Sequence, residues 1–202
     1  IAAHPFSNVP LAQKIVLKRG KWNRNDITIK NLNGLQILNG ALDDIFYKSI
    51  NIWISLLLKG YKIFIYAGND AHGNFNLYRQ IHIPMISIKE KKEQLFGNFR
   101  TGVIVTNKNK DTRNTIKQLA NGNCFITNGP FLNINIISEN ITYEMGSTIN
   151  ANCAKINIKI ISNKEFGIIN NIYLFKGVID SNKEIIQLQI KYIDEYVFDN
   201  NF

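Results

Sequence analysis

His4, Asp70 and His72 are the side chains whose types and spacing are best suited to chemistry. The chain holds only three histidines, and one of them follows an aspartate by two positions in Ala67-Gly68-Asn69-Asp70-Ala71-His72-Gly73. In extended backbone, residues two apart project to the same side, so a carboxylate and an imidazole can aim at one point. Gly68 and Gly73 permit a tight turn and a close approach by a substrate or an ion. A mixed imidazole and carboxylate donor set suits zinc, manganese or iron better than calcium or magnesium. The competing reading is structural: Asp70 caps a turn and His72 is only an exposed polar residue, since Asp-x-His is short and common. His4, a histidine before proline, is open to the same plain reading, and His82, between isoleucines, reads as structural or surface. Arg79 and Arg100 are candidates to pair with an anionic group, because guanidinium forks match phosphate and carboxylate. Their alternative is a surface or structural role.

The surrounding elements decide whether these residues can meet. The position before a proline is pushed to extended geometry, which predicts that Ile1 to Phe6 is the end of a buried strand running into a loop at His4. Lys18 to Asn33 is polar and reads as a loop. Gly34 to Leu38 reads as a short buried strand ended by the turn signal Asn39-Gly40. Apolar residues Ile45, Phe46, Ile50, Trp53, Ile54, Leu57 and Leu58 recur at three- and four-residue spacing, which predicts a helix from Leu42 to Lys59 with Gly60 just beyond it. The apolar run Lys62 to Ala67 follows as a strand. Strand, helix, strand in this order predicts a parallel sheet, and such sheets collect their sites in loops at the carboxyl ends of the strands. His4 and Asp70 both fall at such ends.

Further along, Met85 to Ile88 and Arg100 to Thr106 read as strands. Asp111 to Ala120 reads as a short helix capped by Asp111 or Thr112. From Cys124 the character changes to short alternating runs separated by Asn, Gly and Ser turns, the pattern of an antiparallel sandwich. The boundary between the two regions is placed near Gly129-Pro130, giving domains 1–128 and 129–202.

Composition bounds the function classes. With 202 residues and 45% hydrophobic content the chain can bury a core. The net charge of +9 is spread over isolated lysines and not gathered in a basic tract with interleaved aromatics, so no nucleic-acid partner is expected. Cys124 and Cys153 form no CxxC pair and no disulfide framework, which is compatible with a reducing compartment and a cytoplasmic location. The longest apolar run, Ile50 to Leu58, is far too short to span a bilayer, and no membrane partner is expected.

Taken in order, IAAHPF, QILNG (Gln36 to Gly40), the helix with Trp53 and AGNDAHGNF resemble consecutive motifs of the polymerase-and-histidinol-phosphatase (PHP) superfamily. The similarity is to its carboxyl-terminal half, in the carbaryl-hydrolase-like (CehA/McbA) metallohydrolase branch. It continues through FGNFRTGVIV (Phe96 to Val105), the stretch Gly122 to Phe131, and Glu165 to Gly167. The resemblance implies an α/β fold: the C-terminal part of a distorted (β/α)7 TIM-like barrel followed by an all-β sandwich. It makes His4, Asp70 and His72 metal ligands, with Asp70 also a candidate to orient the nucleophile. It implies a divalent transition metal (zinc, manganese or iron), multinuclear in the complete enzyme, and a small-molecule substrate hydrolysed by metal-activated water. The substrate is left open between a phosphoester and a carbamate or ester.

One departure is plain. The family's cluster begins with an H-x-H and further His and carboxylate positions that this chain lacks. The expectation is that they lie upstream of Ile1, the alternative being a degenerate relative, and that this chain alone binds metal weakly and hydrolyses nothing. Two rival readings have other origins. One is a non-catalytic binding module on the sandwich, with Tyr143, Tyr173 or Tyr192 lining a face. The other is a phosphodiesterase of nucleic acid, supported by charge alone.

Overall fold

The computed structural model describes residues 1–9, 14–15, 18, 20, 22–71, 82–83, 86–87, 96–105, 111–179 and 186–190. The chain divides into two compact units, Ile1–Arg100 with Ile179–Ser181, and Thr101–Val178 with Asn182–Phe202. Among the described residues the strands form five small sheets and no closed barrel. No helix among them is long and apolar enough to cross a membrane.

The first unit is built on parallel pairing. Strand β1 (Gly34–Asn39) runs parallel to β2 (Phe64–Gly68), with Leu35 opposite Ile65 and Asn39 opposite Gly68. On its other side Leu35 forms a parallel bridge to Ala2, whose N–H donates to the Gly34 carbonyl at 2.9 Å while its own carbonyl accepts from Gln36 N–H at 2.9 Å. Three chain segments therefore point the same way, and their carboxyl ends share one edge. Parallel neighbours need a crossover connection, and here it is helix α2 (Asp44–Leu58). An aspartate before it, Asp43, accepts a hydrogen bond from Phe46 N–H at 3.0 Å and so satisfies one orphan donor of the first turn. Gly60, at φ 81, ends it in a conformation that a side chain resists. Trp53 of α2 donates through Nε1 to the Ile63 carbonyl at 2.8 Å, which ties the helix to the entry of β2. Ala2, Leu35, Ile37, Leu38, Leu56, Ile63 and Tyr66 are buried and make the core.

One helical turn of this unit, and the strand that pairs with the expected one at Met85 to Ile88, are not in the sequence reading. The segment taken as a loop contains a helical turn, α1 (Arg24–Ile27), closed by a reciprocal capping box. There Asn23 Oδ1 accepts from Asp26 N–H at 3.0 Å and Asp26 Oδ2 from Asn23 N–H at 2.7 Å. Further on, His82 pairs with Ser87 in a short antiparallel ladder of β3 (His82–Ile83) and β4 (Ile86–Ser87).

The second unit is antiparallel wherever its registers are defined. Strand β5 (Arg100–Val103) lies beside β6 (Cys124–Thr127). Between them helix α3 (Thr112–Ala120) is capped by Asp111, which accepts from Asn114 N–H at 2.6 Å. The central sheet places β7 (Phe131–Ser138) between β8 (Ile141–Glu144) and β9 (Lys155–Ile161). Glu139 and Asn140 join β7 to β8 with φ of 50 and 61, the sign that a two-residue hairpin turn demands. Strand β10 (Ile172–Lys176) pairs with β11 (Ile186–Ile190).

This unit starts at Thr101, well upstream of Gly129-Pro130. The chain around that pair is tightly joined. Thr127 Oγ1 donates to the Pro130 carbonyl at 2.6 Å and accepts from Gly129 N–H at 2.9 Å. Phe125 and Phe131, on either side, meet edge to face at 5.4 Å between ring centres.

Candidate functional site

The shared edge of the parallel segments is where the first unit gathers its polar groups. Strand β1 ends at Asn39, and the next residue, Gly40, donates its N–H to the Gly68 carbonyl at 2.9 Å. The two strand ends are thereby tied together. Asn69, buried, follows Gly68 and accepts through Oδ1 from Phe99 N–H at 2.8 Å, which anchors the loop just before Asp70. On the other side Ala2 leads into His4, whose carbonyl accepts from Ser7 N–H at 3.2 Å, and Pro5 beside it is buried.

These anchors bring His4 and Asp70 together. His4 Nε2 stands 4.0 Å from Asp70 Oδ1, with the two side chains 20% and 30% exposed. Both residues have positive φ, 32 for His4 and 50 for Asp70. Positive φ is uncommon outside glycine, although aspartate and histidine adopt it more readily than most residues, and such conformations persist where the surroundings over-determine them. Strained backbone at two side chains of complementary chemistry, far apart in sequence, is the pattern of a built site. At 4.0 Å the pair lies beyond direct hydrogen-bond reach, and the two side chains can share a third partner between them.

No family model, no curated protein and no solved structure matches the chain. The site is therefore read from its own atoms. Nitrogen and carboxylate donors sit about 2.0–2.2 Å from a zinc ion, which places two of them about 3.4 Å apart on one tetrahedral centre. The observed 4.0 Å is slightly wider, so a small movement of either side chain suffices. Among the described residues no group of three His, Cys, Asp or Glu side chains gathers. His72, the third expected ligand, and Arg79 lie outside the described residues, while Arg100 is exposed at the start of β5.

A small cavity of ≈ 40 Å³ opens beside His4. Its polar wall consists of Gln36, Asn39 and Asp43, with Ser7 and the buried Ser49, and its apolar wall includes Phe6 and Phe46. Gln36 Nε2 donates to Asn39 Oδ1 at 3.0 Å. Sequence reasoning used Gln36 to Gly40 only as a strand and turn, and it missed this amide pair. The strand register shifts between Gln36 and Leu38, which breaks the alternation by which side chains are assigned to faces. The only available signal was the polar Gln36 inside an apolar strand.

Cysteine chemistry is a poor alternative. Burial pushes the Cys124 thiol up to about 11, so the nucleophilic thiolate is scarce at neutral pH.

Proposed function

We propose that this chain is the carboxyl-terminal part of a PHP-type metal-dependent hydrolase, in which His4, Asp70 and His72 contribute ligands to a divalent transition metal. The convergence of His4 and Asp70 at 4.0 Å, each held with positive φ at the end of a parallel segment, carries the reading. A bound ion would supply Lewis acidity and lower the pKa of a water molecule. Asp70 Oδ1 would accept a hydrogen bond from that water and fix its lone pair toward the substrate, and His4 would hold its place through Nε2. The substrate is a small molecule, a phosphoester or a carbamate or ester, and a multinuclear centre would need ligands beyond these three.

Metal analysis tests the proposal. This chain should bind zinc or manganese weakly, and His4→Ala and Asp70→Asn should each weaken that binding at least about tenfold, the lower end of what even an indirect supporting residue costs. A longer protein that carries an H-x-H ahead of this sequence should bind stoichiometrically and hydrolyse a model ester. A longer protein that carries an H-x-H upstream and yet binds no transition metal would sink the reading.

A second reading has its own observation. Tyr173 and Phe175 stand two apart on β10 and are both exposed, at 48% and 58%. Aromatic rings on one face of a strand can stack on a flat ligand such as a sugar, which would make the second unit a binding module. Tyr173→Ala with unchanged binding across a panel of oligosaccharides, or no binding to any of them, would remove it.

A further inference from the structure

The cavity beside His4 offers a hydrogen-bonding pattern that discriminates between ligands. A carboxamide carries two N–H donors and one carbonyl acceptor. The bond from Gln36 Nε2 to Asn39 Oδ1 uses one amide's donor and the other's acceptor. Asn39 Nδ2 and Gln36 Oε1 are left over, no other hydrogen bond is made by either side chain among the described residues, and neither atom is a buried orphan. Both are therefore open to a ligand. Turning both amides over leaves the same offer, one N–H₂ and one C=O.

The charges nearby point the same way. Among the described residues the lining includes no lysine or arginine, and it does include the carboxylate of Asp43. A phosphate at neutral pH presents acceptors and negative charge, so it would leave Gln36 Oε1 unmatched and face the Asp43 carboxylate. An uncharged group with N–H beside C=O meets the donor and the acceptor together and sits against the rings of Phe6 and Phe46. We propose that Gln36 and Asn39 are specificity-determining residues that hold a neutral carboxamide- or urea-type group in the cavity beside His4. The inference rests on reading His4 and Asp70 as the hydrolytic site, and it narrows that site's ligands to uncharged ones.

Two-dimensional ¹H–¹⁵N NMR of the 202-residue chain tests it through the side-chain NH₂ signals of Gln36 and Asn39. N-methylacetamide should shift both pairs saturably and at lower concentration than inorganic phosphate. Asn39→Asp, which turns the ligand-facing N–H₂ into an acceptor, and Gln36→Leu, which removes the ligand-facing C=O, should each weaken N-methylacetamide roughly tenfold, the usual effect of one lost hydrogen bond in a partly buried site. An absent or non-saturating response to N-methylacetamide overturns the proposal, as does phosphate binding equally well or unaltered affinity in both variants. The unmutated chain decides the first two outcomes even if a variant fails to fold. Neither metal nor turnover enters the measurement. A protein that binds the amide but no metal refutes the hydrolase reading alone, and one that binds metal but ignores the amide refutes this inference alone.

Discussion

The first unit buries Leu35, Ile37, Leu38 and Leu56 to within a few per cent of full coverage, whereas Phe125 is the only apolar side chain described in the second unit that reaches the buried class. Both units leave large apolar side chains exposed, among them Trp22, Leu42 and Tyr47 in the first and Ile141, Ile156, Tyr173 and Phe175 in the second, so the difference lies in what is buried. Connection type accounts for much of this. A parallel strand–helix–strand unit lays its helix over the sheet, and its strands need cover on both faces. An antiparallel hairpin closes with a two-residue turn and tolerates one wet face. The polar constellation of His4, Gln36, Asn39 and Asp70 belongs to the drier unit, where strand ends are fixed by a packed core and can hold side chains to a geometry.

The sharpest way to break the comparison is to open a cavity in each unit. Leu56→Ala, at a site 1% exposed, should cost about 2–5 kcal/mol. Ile156→Ala, 44% exposed, should cost no more than about 1 kcal/mol. Urea denaturation of both variants checks this, and equal losses would mean that the second unit's core is as dry as the first's.

Gly146→Ala probes a place where the second unit is as unforgiving. Its φ is 80, and an added Cβ would lie 2.1 Å from the Asn121 carbonyl oxygen. Backbone cannot swing aside as a side chain can, so a loss of about 2 kcal/mol or more is expected, read as a lowered Tm. Gly68→Ala should do less. There the new Cβ would meet Gln36 Nε2 at 2.9 Å, a flexible end that can move. Stability should fall by less than about 1 kcal/mol, while the NH₂ signals of Gln36 and Asn39 shift as their mutual bond is disturbed.

The smallest effect concerns the thiols. Cys153 is exposed and Cys124 half-buried, so a thiol reagent at pH 8 should modify Cys153 first. Alkylation of Cys124 should accelerate only as pH climbs toward its raised value of about 11. The folded pKa lies above the ordinary 9.0, so this thiol's contribution to stability is intact below pH 9 and is lost as pH rises through about 11. Mass spectrometry of alkylated peptides across that range provides the check.

Much of the first unit was legible because its signals are local. The three- and four-residue spacing from Ile45 to Leu58 and the glycine at 60 marked α2 to within two residues of its ends. Asp111 read as a cap is one. The box of Asn23 and Asp26 was also written in the sequence, as N-x-x-D, but the polar stretch around it hid the turn. The place where the units part was harder to read. Composition changes at Cys124, yet Gly146 packs against the end of α3 across that point, and Phe125 meets Phe131 across the Gly129-Pro130 boundary expected from the sequence. Such contacts are long-range and leave no periodic trace. At the site, strand ends predicted that His4 and Asp70 could approach each other. Their positive φ could not be read, because tertiary anchoring imposes it on residues that do not prefer it.

That backbone conformation makes the pair visible to a screen blind to chemistry. Glycine adopts φ of 32 or 50 without a Cβ penalty, so His4→Gly and Asp70→Gly should cost little stability or even gain it. A library of random variants sorted only for resistance to protease would then enrich glycine at positions 4 and 70. Enrichment there, in a unit whose other buried positions resist change, would outline the site before any ligand had been tried.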